Sequence, residues 1–384
     1  MTTLTPNAQR LLRTLIAEGP AYRADLARAL EVSRATITNL ANRLSADGWV
    51  EETDPEPGSL KNLIGTTPRL GVLASVMFLV DVCTVAVATM DGRVLKELTL
   101  RTSAGSTAEQ RVTAGADLLD RLLDELELEY GQLRALHLAV DTQMDARSGD
   151  VYAQRASSRW YGVNPKQFFA QRFGVPVHTQ NTARLEGLAE YLWGSGRGHA
   201  DMLYVEVSYG ITSGHIVDGI IRSGFRGGSG ELGHTVYDWD GPLCSCGNPG
   251  CLMQYASIPA MLRDYSTGCG RTIDWTRFAK LVRDGDAAAT AIARRAAEVL
   301  GRMLMNTCHI VDPAVLVLSG EVVRALPSFA DDVSAILCQR ALPLVSRNLQ
   351  VVAAELDDTH LATARAGIES LRAIEHVVAA ATAF

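Results

Sequence analysis

Apolar positions near the amino terminus recur at helical spacing. In NAQRLLRTLIAE, residues 7–18, Leu11, Leu12, Leu15 and Ile16 fall on one face, and Gly19-Pro20 halts the helix. The next stretch, RADLARALEVSRATITNLANRLSADGWVEE, keeps the period through Leu26, Leu30, Ile37, Leu40 and Leu44 but breaks at Glu31-Val32-Ser33. Ser33 is placed to cap a second helix, its hydroxyl accepting from an amide about three residues on. Helix, short turn, capped helix and then Gly48 with apolar Trp49-Val50 predict a winged helix-turn-helix over residues 1–68. Its wing runs from Val50 through the turn-rich DPEPGS to about Thr67.

The second helix of such a pair lies in the major groove with its first residues at base edges. Ser33, Arg34, Thr36, Thr38, Asn39 and Arg43 are the candidate contacts to a double-stranded DNA operator, and no acid occurs between Ser33 and Leu44. Arg pairs bidentately with guanine and Asn with adenine, while Thr reaches a phosphate or a thymine methyl. Glu51, Glu52, Asp54 and Glu56 make the wing a poor phosphate clamp. The plainer alternative is a helical hairpin used for packing or dimerisation.

From Leu70 the texture changes. Apolar, β-branched runs alternate with helical segments expected over about 107–131, 164–173, 182–195, 257–265, 276–284, 286–309 and 359–379. That alternation predicts layered α/β lobes, and no repeat of fixed short period is evident. The longest apolar run, Gly71 to Met90, is broken by Ser75, Asp81 and Thr84, which fits a buried strand better than a membrane span. The amino terminus lacks the unbroken apolar stretch of a signal peptide. A soluble, cytoplasmic protein without membrane contact is expected.

Length adds that 384 residues, 47% hydrophobic and 21% charged, make two or three globular domains. A net charge of −7 excludes a generally basic nucleic-acid coat but not a local DNA reader. The cysteine count is seven, an odd number. Cys83, Cys269, Cys308 and Cys338 sit in apolar contexts and are expected as small core residues. The other three cluster in GELGHTVYDWDGPLCSCGNPGCLMQYAS, Gly230 to Ser257. There His234, Cys244, Cys246 and Cys251 offer one imidazole and three thiolates, the complement of a closed, structural Zn2+ site. Gly247 and Gly250 let the chain fold tightly around the ion. The alternative is a set of reduced thiols with no metal.

A winged helix followed by an α/β body carrying GELGH and CSCGNPGC resembles the ROK family, named for repressors, open reading frames and kinases. VHTQNTARLEGLAEYLWG and LVLSGEVV extend the resemblance over essentially the whole chain. It implies a two-lobed, ribonuclease-H-like body of the actin–hexokinase type. Lobe one would cover residues 69–182, with a carboxy-terminal helix at 359–384 packing back on it. Lobe two would cover 183–358, with the zinc segment at 230–257, and all four metal ligands carry over.

The same resemblance locates the chemistry that is missing. A sugar kinase of this type uses an aspartate base in an Asn-Asp pair, and the matching pair here is Asn181-Thr182. Threonine is no base at neutral pH. The family's first phosphate loop, of the form D-x-G-G-T, meets FLVDVCTVAV, so either Asp81 starts a shortened loop or Met77 stands where the acid belongs. The second glycine loop, SYGITSGHIV, keeps Gly210 and Gly214, and the adenosine-side double glycine has become Ser319-Gly320. No enzyme is expected.

In the implied sugar pocket, Asn181, Glu231 and His234 match as effector contacts. Thr182 and Met253 replace two acids, Ser157 an asparagine, and Asp141-Thr142 a Pro-Gly turn. Glu231 also reads as a helix-end charge or a partner of the metal site. The reading that combines these features is a transcription regulator, a repressor of carbohydrate-related genes. It would bind a palindromic operator as a homodimer or homotetramer, with a sugar or sugar derivative in the lobe cleft as effector. The alternatives are an ATP-dependent hexose kinase with an appended reader, and a ligand-independent DNA-binding regulator.

Overall fold

The computed structural model describes residues 4–54, 62–152 and 159–382. The chain divides into two compact units, Met1–Thr182 with His360–Phe384, and Ala183–Thr359. The first unit opens with α1 (Pro6–Glu18), capped by the Thr5 hydroxyl, followed by α2 (Arg23–Ala29) and α3 (Arg34–Ala46). The Ser33 hydroxyl accepts from Thr36 N at 3.0 Å, as the capping signal requires. Strands β1 (Val50–Thr53) and β2 (Leu63–Thr66) then pair antiparallel, with Val50 opposite Thr66, as the wing. The wing tip, with Glu56, lies outside the described residues.

The wing's acids are not idle charges. Glu52 pairs with Arg23 at 2.8 Å and accepts from Asn62, while Glu51 pairs with Arg93. Two of the four acids therefore bind cations of the chain itself.

The apolar run Gly71–Met90 is two strands rather than one. β3 (Val72–Phe78) and β4 (Val82–Thr89) are both fully buried and joined by a tight turn in which Leu79 N donates to Val82 O at 2.8 Å. β5 (Val94–Arg101), α4 (Ala108–Glu125), β6 (Leu133–Val140), α5 (Pro165–Phe173) and β7 (Val177–Asn181) follow. α4 stops short of the expected residue 131. Glu127 takes a left-handed φ of +54°, and Leu126 and Leu128 reach the core from a turn instead of a helix face. The sheet order among the described residues is β5-β4-β3-β6-β7, antiparallel on the β4 side of β3 and parallel on the β6 side.

α6 (Thr182–Trp193) carries the chain into the second unit. There β8 (Asp201–Val207), β9 (Ile211–Val217) and β10 (Ile220–Ile221) precede the helices α7 (Met253–Ala256), α8 (Ile258–Cys269), α9 (Trp275–Arg283) and α10 (Ala287–Val311). β11 (Val315–Ser319), α11 (Glu321–Ala325), α12 (Ser328–Arg340), α13 (Pro343–Ser346) and β12 (Gln350–Ala353) complete it. The sheet order is β10-β9-β8-β11-β12, with β8–β9 and β9–β10 antiparallel, β8–β11 and β11–β12 parallel. Counted in chain order, both sheets read 3-2-1-4-5 with the same directions. The repeat is one of topology, which residue spacing does not reveal.

The chain re-enters the first unit through α14 (Thr359–Arg372) and α15 (Glu375–Thr382). The single helix expected over 359–379 breaks at Ala373-Ile374, where Ile374 N turns back to Leu371 O. Cys83 and Cys308 are buried as expected, but Cys269 and Cys338 are exposed. Cys269 ends α8 beside the left-handed Gly270, and Cys338 lies on the outer face of α12.

α14 approaches the sheet closely. A Cβ at Gly367 would meet Ser75 Oγ and lie 3.3 Å from His137 Nδ1, so only glycine fits there. His137 is 2% exposed, and burial, then His178, pull its imidazole down to about 3. Its folded value lies below the unfolded one, so the neutral ring is compatible with the fold above pH ~6.5 and stability falls as pH drops toward 3. Replacing His137→Gln should shrink the loss of unfolding free energy between pH 7 and 4.5 by roughly 2 kcal/mol, measured by urea titration.

Candidate functional site

Three surfaces carry chemistry. The first is the outer face of α3, where Ser33, Arg34, Thr36, Thr38, Asn39 and Arg43 are all exposed while Ile37, Ala41 and Leu44 are buried. Ser33 and Thr36 hydroxyls lie 2.8 Å apart, and Thr38 Oγ1 donates to Arg34 O, so these three serve the helix start. Arg34, Asn39 and Arg43 side chains have no hydrogen-bond or ion-pair partner among the described residues. A helix face that keeps its cations and amide unspent is suited to another molecule's acceptors.

The second is the thiol cluster. The donor atoms of His234, Cys244, Cys246 and Cys251 lie within 4.8 Å of one another, with Cys244 Sγ 3.6 Å from His234 Nδ1 and Cys246 Sγ 3.5 Å from Cys251 Sγ. A tetrahedral ion with metal–sulfur bonds of about 2.3 Å needs ligand atoms roughly 3.5–3.8 Å apart. The backbone is already wrapped for it. Cys244 N donates to Asn248 O, Gly250 N to Pro242 O and Tyr237 N to Gly250 O. Gly247 and Gly250 take φ of +96° and +64°, and a Cβ at Gly250 would collide with Asp238 O.

The thiols themselves call for a cation. Burial raises the Cys244 thiol, but hydrogen bonds with the Cys246 backbone, Cys246, Cys251 and His234 outweigh it and bring it to about 6. Cys251 is pushed up to about 12 by burial and then by Cys246 and Cys244. Alone, the cluster holds one thiolate easily and resists the next; a bound divalent ion removes that resistance and releases the protons. The cluster can therefore hold a metal, with His234 turning Nδ1 to it, and four protein donors leave no place for a reactive water.

The third surface is the end of β3, β6 and β7. Thr182 is buried and donates to Phe78 O at 3.3 Å, and Asn181 Nδ2 donates to Thr142 O at 3.5 Å. In the tight turn after β3, the Arg111 guanidinium, 1% exposed, donates to Leu79 O at 2.7 Å and to Val80 O. Trp160 stacks near it, 5.7 Å from ring centroid to Arg111, and donates to Asp141 at 2.6 Å. The carbonyls of this edge thus have partners from α4 and α6. Asp81 is exposed beyond them and Met77 is buried in the sheet. Ser157 lies outside the described residues.

In the second unit, Glu231 is held by Arg184, which is 3% exposed and donates to Glu231 Oε1 at 3.1 Å and to Gly227 O at 2.6 Å. Spacing gave no sign of this partner, since Arg184 is 47 residues away in sequence. Tyr204 donates to Glu186 at 3.0 Å, near Ser319. Burial, then the Glu206 carboxylate, push Glu186 up to about 8.

Residues 80–365 match the ROK family, and residues 2–58 match the MarR family. The chain belongs to the ROK family. Among ROK relatives, the xylose repressor of Bacillus spizizenii is 22% identical over 353 residues, 91% of each protein. The DNA-binding transcriptional dual regulator NagC of Escherichia coli K12 is 24% identical over 91% of this chain and 89% of its own. The glucokinase of Thermotoga maritima is 27% identical over 63% of this chain and 79% of that protein. In three dimensions this ROK chain superposes on a crystal structure of a ROK transcriptional regulator with a TM-score of 0.75 at 21% identity, covering 98% of both chains. The fold is therefore that of a winged helix joined to an actin/hexokinase-like body.

Replacing Cys246→Ser should reduce bound metal from about one ion per chain to near none, read by emission spectroscopy. The unfolding free energy should fall by at least about 2 kcal/mol.

Proposed function

We propose that this ROK protein is a DNA-binding transcription regulator, a repressor of carbohydrate-related genes, that has kept the shape of a sugar kinase without its chemistry. The observation that carries the reading is the unspent face of α3, with Arg34, Asn39 and Arg43 exposed along a helix that Ser33 caps. The regulator relatives that span nine-tenths of both proteins support it. It acts in the cytoplasm on a palindromic operator as a homo-oligomer, homodimer or homotetramer. Arg34, Asn39 and Arg43 read bases, and Ser33, Thr36 and Thr38 hold the helix start against the backbone of the duplex.

Three local features support the reading that phosphoryl transfer is lost. Thr182 cannot accept a proton from a sugar hydroxyl and spends its own on Phe78 O. The turn after β3 has no glycine to bring amides against a phosphate, and Arg111 occupies its carbonyls. Beside Ser319 the Glu206 carboxylate opposes an anionic nucleotide, while the raised Glu186 stays protonated at neutral pH. The ion in the His234–Cys244–Cys246–Cys251 cluster is zinc in a structural role, which supplies local folding free energy.

Asn181, Glu231 and His234 are the proposed effector contacts, with a sugar or sugar derivative as ligand. Glu231 is steadied by Arg184 for that task, and His234 has its second nitrogen left over from the metal. A ligand shifts the regulator only through unequal affinity for its two states.

Operator selection from a random duplex pool tests the reading, a preference for one palindrome being the expected result. Arg34→Ala should then weaken operator binding by roughly 1–3 kcal/mol, measured by titration at fixed salt. Binding equal to random competitor would reject the regulator. With ATP and a hexose panel, neither the parent nor Thr182→Asp should transfer phosphate above the rate without protein. Steady turnover by the parent would return the chain to the kinases.

A further inference from the structure

The DNA reader is not a bead on a tether. Its buried residues Leu11, Leu12, Leu15, Leu26 and Ile37 belong to one continuous apolar cluster with Leu73 of β3 and Ala88 of β4, with Leu70 and Met90 flanking those strands, and with Ile368, Leu371 and Val377 of α14–α15. Apolar contact alone would let the two parts slide. Buried polar ties remove that freedom, because a buried charge keeps only the geometry in which its partners are met.

Two such ties are present. In the β4–β5 turn Asp91 is 1% exposed; its carboxylate accepts from Thr66 N of the wing at 2.6 Å and from Thr89 Oγ1, while its own N–H donates to Thr66 Oγ1. Beside it Arg93 pairs with Glu51 and donates to Thr66 O at 3.2 Å. At the end of α14, Arg372 donates to Ile16 O at 3.0 Å and Ala17 O at 3.3 Å, closing the last turn of α1, and pairs with Glu369. Glycine makes the approach possible. A Cβ at Gly65 would stand 2.9 Å from Asp91 Oδ2, and one at Gly92, at φ +87°, would stand 2.6 Å from Glu369 Oε1.

We infer that Asp91 and Arg372 are positioning residues for DNA recognition. They lock the reader to the first lobe, so that the body sets the separation and twist of the two readers in an oligomer. This rests on the regulator reading above. Half-sites repeat every ~10–10.5 base pairs, so one inserted pair turns a half-site by roughly 34°, and a locked reader cannot follow it.

The experiment uses the full chain and a duplex selected from a random pool, offered as one half-site, as the full site, and as the full site respaced by one and two base pairs. Arg372→Met and Asp91→Asn are compared with the parent and with Arg121→Met, which removes only an exposed ion pair of α4. Hydrogen exchange follows the amides of α1 and Thr66 alongside those of β3. The expected result is half-site affinity within about twofold of the parent in both variants, with the respacing penalty reduced about tenfold and faster exchange at Thr66.

Variants that keep the parent's spacing penalty overturn the inference, as do variants that lose half-site and full-site binding equally. It also fails if reader amides in the parent open well before those of β3. If Arg372→Met does not fold, Asp91→Asn decides. A parent that binds no duplex rejects the regulator reading alone, and the exchange data still decide whether the reader is locked.

Discussion

A charge buried in a protein persists only where the chain supplies its partners, and four buried charges determine how this molecule is joined. Asp91 ties the wing to the β4–β5 turn, Arg111 fills the turn after β3, and Arg184 holds Glu231 and the Gly227 loop. Glu190, also buried, accepts from Ser195 N at 2.8 Å and Leu356 N at 3.0 Å and so fixes the end of α6 to the strand exit after β12. Each lies at a junction between elements that apolar packing alone would leave free to shift. Removing one partner at such a place costs more than the bond is worth, because the other charge remains in a dry setting.

The edge of β3, β6 and β7 is filled by the chain's own side chains. Arg111 and Thr182 take the carbonyls of Leu79, Val80 and Phe78. Trp160 and Phe78 pack edge to face at 5.2 Å across the same place.

Much of this was legible in the residues themselves. The α1 stripe, the Ser33 cap and the His234–Cys251 spacing each depend on neighbours a few residues apart, and each appears where the pattern places it. What stayed hidden depends on distance in the chain. Arg184 with Glu231, Arg111 with Leu79 and Arg372 with Ile16 are long-range pairs that no spacing rule announces. Local exceptions misled as well. The period of α4 runs on through Leu126 and Leu128, but the left-handed Glu127 turns the chain out of the helix. Cys269 and Cys338 have apolar neighbours in sequence and open solvent in space.

The return of α14–α15 to the first unit also orders events during synthesis. The reader is made first, yet part of the apolar wall against Leu11, Leu15 and their neighbours comes from Ile368, Leu371 and Val377, made after the whole of the second unit. Until then the reader lacks one side of its core and the Arg372 clasp on α1. A ribosome that stops early releases a chain whose amino-terminal helices lack part of their apolar wall, so completion of that core is tied to translation of the carboxy-terminal helices.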